Sequence, residues 1–95
     1  MVTLKDIVAA HDRIAPFIHR TPVLTNKSLN ELSGAELYFK CENFQKAGSF
    51  KIRGATNTVE LLNQDELGRG IATTSSGNHG AALSMAVSRR NGKTK

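Results

Sequence analysis

The chain has 95 residues, of which 39% are hydrophobic and 22% charged, an ordinary globular composition that excludes a disordered chain. The net charge is +5, and the basic residues are scattered along the chain apart from a group near the C-terminal end. No aromatic residue accompanies that group, so we expect no nucleic-acid partner. The single cysteine excludes an internal disulfide and predicts a cytoplasmic protein, and no stretch approaches the roughly 20 apolar residues of a membrane span, so we expect no membrane partner.

The first predicted element is a helix that begins after Thr3. Thr3 can cap this helix, because Asp6 follows three positions later as in a capping box. Apolar residues at helical spacing continue to Ile14, and Pro16 marks the end. His11 falls on the apolar face of this helix, where we expect a histidine of the core.

A short helix and a strand are predicted next. The helix covers Ser28 to Leu32 and is stopped by Gly34. The strand runs from Glu36 to Glu42, and its alternation is typical of a half-buried strand. Its inward residues would be Leu37, Phe39 and Cys41.

A second helix-strand-helix series is predicted after a polar loop. Ser49 is a plausible N-cap for a helix with one apolar face, formed by Ile52, Ala55, Val59 and Leu62. Gly68 and Gly70 bracket a turn, and residues 71–74 form a short strand. The last helix begins near Gly80, is apolar on most sides, and ends at Gly92 as a left-handed cap.

This order of elements predicts an α/β fold in which parallel strands alternate with helices. Parallel strands need neighbouring strands and helices on both faces of the sheet. Two or three strands do not complete such a sheet, so we expect the chain to be an incomplete fragment.

Two segments carry residues suited to chemistry. The first is Gly48 to Ala55, which places Lys51 at the opening of a helix, where the helix dipole disfavours an ammonium and favours a reactive amine. The second is the strand-to-helix turn from Ser75 to Gly80, whose free backbone N–H groups suit a phosphate or carboxylate. Taken alone, these residues favour a simple helix cap for the turn and an ordinary surface lysine at Lys51.

Together these segments resemble a known family. Residues 39–55 are similar to the cofactor-lysine segment of fold-type II pyridoxal-phosphate enzymes, and residues 75–80 to the substrate-carboxylate loop of the same family. Arg20 to Leu24 also resembles the segment found upstream in threonine dehydratases and serine racemases. The three segments agree in order and spacing, and the resemblance covers nearly the whole chain.

The resemblance implies a role for each matching residue. Lys51 would bind pyridoxal 5'-phosphate covalently and then act as an acid or base at the substrate Cα, and Phe50 would pack on the pyridine ring. Asn78 would hydrogen-bond the ring hydroxyl. The substrate carboxylate would be held by Ser75, Asn78 and His79. Ser76 would face Lys51 across the cofactor and serve as the second acid or base in a racemase.

The implied reaction is the dehydration of L-threonine or L-serine to a 2-oxo acid and ammonia, with serine racemisation as the alternative. Residues 1–50 would belong to the large cofactor domain and residues 51–95 to the start of a smaller one. The longer relatives would be homo-oligomers, with any divalent cation bound beyond this chain. No metal site is expected within it. As a fragment the chain is expected to be inactive alone, and a non-catalytic remnant is the further alternative.

Overall fold

The structure is a computed structural model that describes residues 1–95, with five α-helices and one small sheet. The helices are α1 (Leu4–Ile14), α2 (Lys27–Ser33), α3 (Lys51–Leu61), α4 (Gln64–Arg69) and α5 (Asn78–Arg89), and the strands are β1 (Val23–Leu24) and β2 (Phe39–Lys40). Single 3₁₀ turns cover Ala15–Phe17, Glu42–Phe44 and Lys46–Gly48. None of the helices has the length and apolar character that crossing a membrane requires.

The caps of the first two helices follow the sequence. The Thr3 hydroxyl accepts from the Asp6 amide, and the Asp6 carboxylate accepts from the Thr3 amide at 2.8 Å, so the predicted capping box is confirmed. Asn26 caps α2 by accepting from the Leu29 amide. Gly34 ends α2 with a φ of 68°, a left-handed conformation that glycine adopts without a Cβ penalty.

The core is formed by the second half of the chain. Helices α3 and α5 pack against each other, and α4 closes the same apolar cluster with Leu67. The cluster consists of Ile52, Ala55, Val59, Leu67, Ala82, Leu83, Ala86 and Val87. The predicted apolar face of α3 is therefore confirmed, with Leu62 half-buried at its edge. Met85 is exposed, so α5 is covered on one side and not on both.

The strand predicted over residues 36–42 is shorter than expected. Only Phe39–Lys40 pairs, with Val23 opposite Lys40 and Leu24 opposite Phe39. The pairing is antiparallel, contrary to the expectation of parallel strands, because the chain returns through the short helix α2 without a long crossover. Of the predicted inward residues, Leu37 and Cys41 are partly buried, whereas Phe39 is 43% exposed, so the half-buried face is present only in part.

Parallel pairing does occur around α5. Ile71 forms a parallel bridge with Thr94, and the Ile71 and Lys95 amides donate to the Lys93 and Ile71 carbonyls, each at 2.9 Å. The stretch predicted as a strand over residues 71–74 is thus reduced to a bridge at Ile71. The parallel direction of this bridge agrees with the predicted alternation of strands and helices, but the bridge is a single residue pair and not a pair of strands.

Three local expectations were wrong. His11 is exposed, because nothing packs over that side of α1 and only Ile14 of this helix is buried. Asn91, and not Gly92, takes the left-handed conformation after α5, with a φ of 57°. Gly68 lies inside α4 and does not bracket a turn, since a second capping box at Asn63 starts a helix there.

Candidate functional site

Lys51 opens α3 with its side chain exposed. Its amide donates to Ser49 Oγ at 3.4 Å, so Ser49 supports the helix start, although Phe50 occupies the N-cap position. The Lys51 Nζ lies 5.0 Å from the centroid of the Phe50 ring, and that ring is 58% exposed. An aromatic face beside an exposed amine at a helix start suits a planar, aldehyde-bearing ligand.

The turn before Lys51 has a constrained backbone. Ala47 has a φ of 60° and Gly48 a φ of 73°, so two successive residues are left-handed. This conformation costs an alanine about 1 kcal/mol, and the surrounding contacts must hold it. Gln45, which is buried, supplies such contacts: its side chain accepts from the His19 amide at 2.9 Å and donates to the His19 carbonyl at 2.7 Å.

The predicted anion turn leads into the N-terminus of α5. Gly77 is the N-cap residue and no side chain caps the helix, so the amides of Asn78, His79 and Gly80 donate no hydrogen bond within the chain. Ser75 Oγ accepts from the Gly77 amide at 3.3 Å, which folds the turn back on itself. Free amides with the helix dipole behind them can hold a phosphate or a carboxylate.

The Lys51 segment and the predicted anion turn lie at the starts of two helices that pack against each other. All of the predicted site residues, namely Phe50, Lys51, Ser75, Ser76, Asn78 and His79, are exposed and stand at or just before the first turns of α3 and α5. These two helices share the core, and the 3₁₀ turn preceding Lys51 also contacts α5. Among the predicted site residues, Lys51 and Phe50 are in direct contact.

The residues present fit pyridoxal phosphate in chemical type. An exposed lysine amine lies against an aromatic ring, and uncapped helix amides with hydroxyl and amide side chains are available for an anion. A Cβ at Gly77 would meet no atom within 4 Å, so the space beside the N-cap residue is open. No group of three His, Cys, Asp or Glu side chains has an arrangement that could hold a metal ion.

A polar cluster behind Lys51 escaped the sequence analysis. Glu42 accepts two hydrogen bonds from the Arg53 guanidinium, from Nε at 2.8 Å and from the NH2 nitrogen at 2.7 Å, and a third from the Thr21 hydroxyl at 2.5 Å. The Lys40 amine lies 4.0 Å from the same carboxylate. The Arg53 hydrogen bonds lower the pKa of Glu42 from 4.5 to about 2, against the opposing effect of its burial, with help from Thr21.

Two arginines at the end of α5 tie the helix to its neighbours. Arg90 donates from one nitrogen to the carbonyls of Val59 and Leu62, at 2.5 and 2.8 Å, and so caps the C-terminus of α3. Arg89 pairs with Glu60 and stacks on Phe17, with its guanidinium carbon 3.6 Å from the ring centroid. Two of the basic residues near the C-terminal end therefore hold α5 to its neighbours.

One cleft is lined by none of the predicted site residues. It has a volume of about 550 Å³ and is lined mainly by basic side chains, including His11, His19, Arg20, Lys40 and Arg53. Of the three side chains that contact Glu42, Arg53 and Lys40 line this cleft and Thr21 does not.

Comparison with known proteins agrees with this chemistry. Residues 14–94 match the family described as pyridoxal-phosphate dependent enzyme. The chain is 65% identical over 85 residues to the serine racemase of Dictyostelium discoideum and 56% identical over 85 residues to the beta-hydroxyaspartate dehydratase of Paracoccus denitrificans. Each alignment covers 90% of this chain, and 26% and 27% of those proteins.

Solved structures give the same result. The crystal structure of the Dictyostelium discoideum serine racemase superposes with a TM-score of 0.93 at 61% identity, over 98% of this chain and 30% of that one. A threonine deaminase from T.th. superposes with a TM-score of 0.88 at 40% identity, over 99% of this chain and 33% of that one. The predicted resemblance, the α/β class and the cofactor class are confirmed. The chain spans about a quarter of the length of the curated relatives it matches.

Proposed function

Because the chain belongs to the family of pyridoxal-phosphate-dependent enzymes, we propose that the protein containing it eliminates the β-hydroxyl of L-serine or L-threonine as water, and that the resulting enamine takes up one water to give a 2-oxo acid and ammonia. The observation that carries this proposal is an exposed lysine amine beside an aromatic ring at the start of α3. Helix α3 packs against α5, whose N-terminal amides have no side-chain cap. A small amino acid carries the carboxylate and the Cα proton that these two features suit.

Lys51 is the proposed attachment point of the cofactor, since its amine is exposed at the start of α3 and lies beside the Phe50 ring. When bound, the cofactor supplies an electron sink for the charge that develops at Cα. Lys51 then holds and moves the proton at Cα, and Phe50 supports the ring of the cofactor. The amides at the start of α5, with Ser75, Asn78 and His79, orient the substrate carboxylate, and Asn78 also holds the ring hydroxyl.

Racemisation of serine is a second candidate. The similarity to the Dictyostelium serine racemase favours it, as does the exposed Ser76 hydroxyl in the anion turn. In this reading Ser76 returns a proton to the face of Cα opposite Lys51, and the product is the other enantiomer. The two reactions use the same site and differ in whether the β-hydroxyl leaves before the proton returns.

The proposed domain arrangement assigns residues 1–50 to the large domain and residues 51–95 to the start of the smaller one. A cytoplasmic location and a homo-oligomeric assembly stay predictions. A non-catalytic remnant is the opposing hypothesis, and it predicts that the protein binds no pyridoxal phosphate.

The test is made on the full-length protein with pyridoxal phosphate added. We expect a visible absorption band from the lysine-bound cofactor, release of 2-oxo acid from L-serine or L-threonine, and loss of both in Lys51→Ala. The Ser76→Ala variant separates the candidates, because it should abolish enantiomer exchange and spare dehydration of the L-substrate. A Lys51→Ala protein that keeps the band would refute the assignment of the cofactor lysine.

A further inference from the structure

We propose that Glu42 is a positioning residue, which sets the orientation of Lys51 by holding Arg53 on the opposite side of α3. The inference rests on the proposed function of Lys51. It goes beyond that function because it assigns a role to a carboxylate that touches neither the cofactor lysine nor the anion turn.

The geometry of α3 places the two side chains back to back. Successive residues of an α-helix are rotated by about 100° around its axis, so Arg53 is rotated by about 200° from Lys51 and points to the nearly opposite side. Ile52, which lies between them in sequence, is buried in the core, while Lys51 is exposed and Arg53 is only 27% exposed. The core therefore holds one side of this helical turn, and Glu42 holds the side behind the amine.

The contact between Glu42 and Arg53 fixes an angle as well as a distance. Both carboxylate oxygens accept from different guanidinium nitrogens, at 2.8 and 2.7 Å, which is the bidentate arrangement that restricts rotation of both groups. The Thr21 hydroxyl holds the same carboxylate from the segment before β1. Glu42 is only 17% exposed, so solvent does not weaken these bonds as it would a surface ion pair.

The chain between Glu42 and Lys51 needs such an anchor. It contains the left-handed pair Ala47 and Gly48, whose conformation does not by itself fix where α3 begins. Gln45 fixes the middle of this segment through its bonds to His19. Glu42 fixes the first turn of the helix that follows, by joining the start of the segment to Arg53.

A small rotation of α3 would matter for the reaction. Side-chain ends lie about 5–6 Å from a helix axis, so a rotation of about 10° moves them by about 1 Å. A misplacement of about 1 Å can lower a rate by about 100-fold. We therefore expect Glu42→Gln to lower kcat of the full-length holoenzyme by about 10- to 100-fold, with little change in KM.

The experiment compares four full-length proteins loaded with pyridoxal phosphate: Glu42→Gln, Arg53→Lys, the double variant and the control Glu31→Gln. Glu31 pairs with Lys27 on the exposed surface of α2, at 3.9 Å, so its loss should leave activity unchanged. Arg53→Lys keeps both charges and removes the bidentate geometry. If Glu42 and Arg53 act as one unit, the double variant loses no more activity than the worse single variant.

A spectroscopic readout separates positioning from stability. The absorption band of the lysine-bound cofactor should persist in Glu42→Gln, and the midpoint of its pH titration should shift. Unchanged kcat and titration midpoint in Glu42→Gln would overturn the proposal and leave the pair a stabilising contact. Should Glu42→Gln not fold, Arg53→Lys decides on the same two readouts. If the absorption band of the lysine-bound cofactor survives in Lys51→Ala, that result contradicts the proposed function of Lys51 and not the role of Glu42.

Discussion

Substituting Gly92 by alanine should destabilise the protein, because no room exists for a side chain after α5. A Cβ at this position would lie 2.6 Å from Cγ1 of Val87 and 2.9 Å from Cδ1 of Leu67. Val87 is fully buried and stiff at its first side-chain torsion, and Leu67 is only 3% exposed. Neither side chain can swing into solvent, so the backbone after α5 or the core must shift.

The net effect combines two opposing free energies. Overpacking of a core costs about 1–3 kcal/mol. Replacing a glycine that has no positive φ reduces the entropy of the unfolded chain and returns about 0.4–1 kcal/mol. Because Gly92 would contact two buried side chains at once, we expect the upper part of the first range and a net loss of about 2 kcal/mol.

The assay is urea unfolding of Gly92→Ala beside the matched variant Gly68→Ala. Gly68 lies in α4, is exposed, and would place its Cβ where no atom lies within 4 Å. The same chemical change should there stabilise the protein by about 0.5–1 kcal/mol. The two variants should therefore shift the midpoint in opposite directions. A Gly92→Ala protein as stable as the parent would refute the close approach of the α5 end to Leu67.

Two further predictions concern polar groups. Arg90→Met removes the donors to the Val59 and Leu62 carbonyls and should lower the free energy of unfolding by about 1.5–3 kcal/mol. The control Arg69→Met loses no such hydrogen bond and should be nearly neutral. Equal losses of stability in the two variants would contradict the capping role of Arg90. Glu42 has a pKa of about 2 instead of 4.5, so its stabilisation, up to about 3 kcal/mol, is complete above about pH 4.5 and lost as the pH falls through 2. Acid titration of stability should accordingly be shallower in Glu42→Gln, and parallel curves would disprove the low pKa.

The parts of the fold that depend on local sequence were predictable. The box formed by Thr3 and Asp6 needs only residues three positions apart, and the apolar face of α3 needs only the helical period. α4 was missed although Asn63 and Glu66 form the same kind of box, because Gly68 suggested a turn in a helix of only six residues. An exposed glycine in a short helix costs too little to prevent it.

The direction of strand pairing could not be derived in the same way. β1 and β2 are each two residues long, and their antiparallel register depends on how α2 folds back between them. The Glu42 cluster was missed for a related reason, since Arg53 follows eleven positions later and no periodicity connects a 3₁₀ turn to a helix face. The sequence indicated this cluster only through two charged residues, Lys40 and Glu42, on one side of the predicted strand.

The position of the turn from Ser75 to Gly80 at the start of a helix was predictable from its glycine and small polar residues, whereas its role in binding an anion stays a prediction. Ile71 bridges in parallel to Thr94, and α5 makes the connection between them. The turn from Ser75 to Gly80 therefore lies beyond the carboxyl end of one parallel segment and opens the following helix, the position where α/β sheets bind their ligands. Glycine and small polar residues at that point leave the first amides of α5 without a side-chain cap, so anion binding at this turn stays a prediction that the geometry permits.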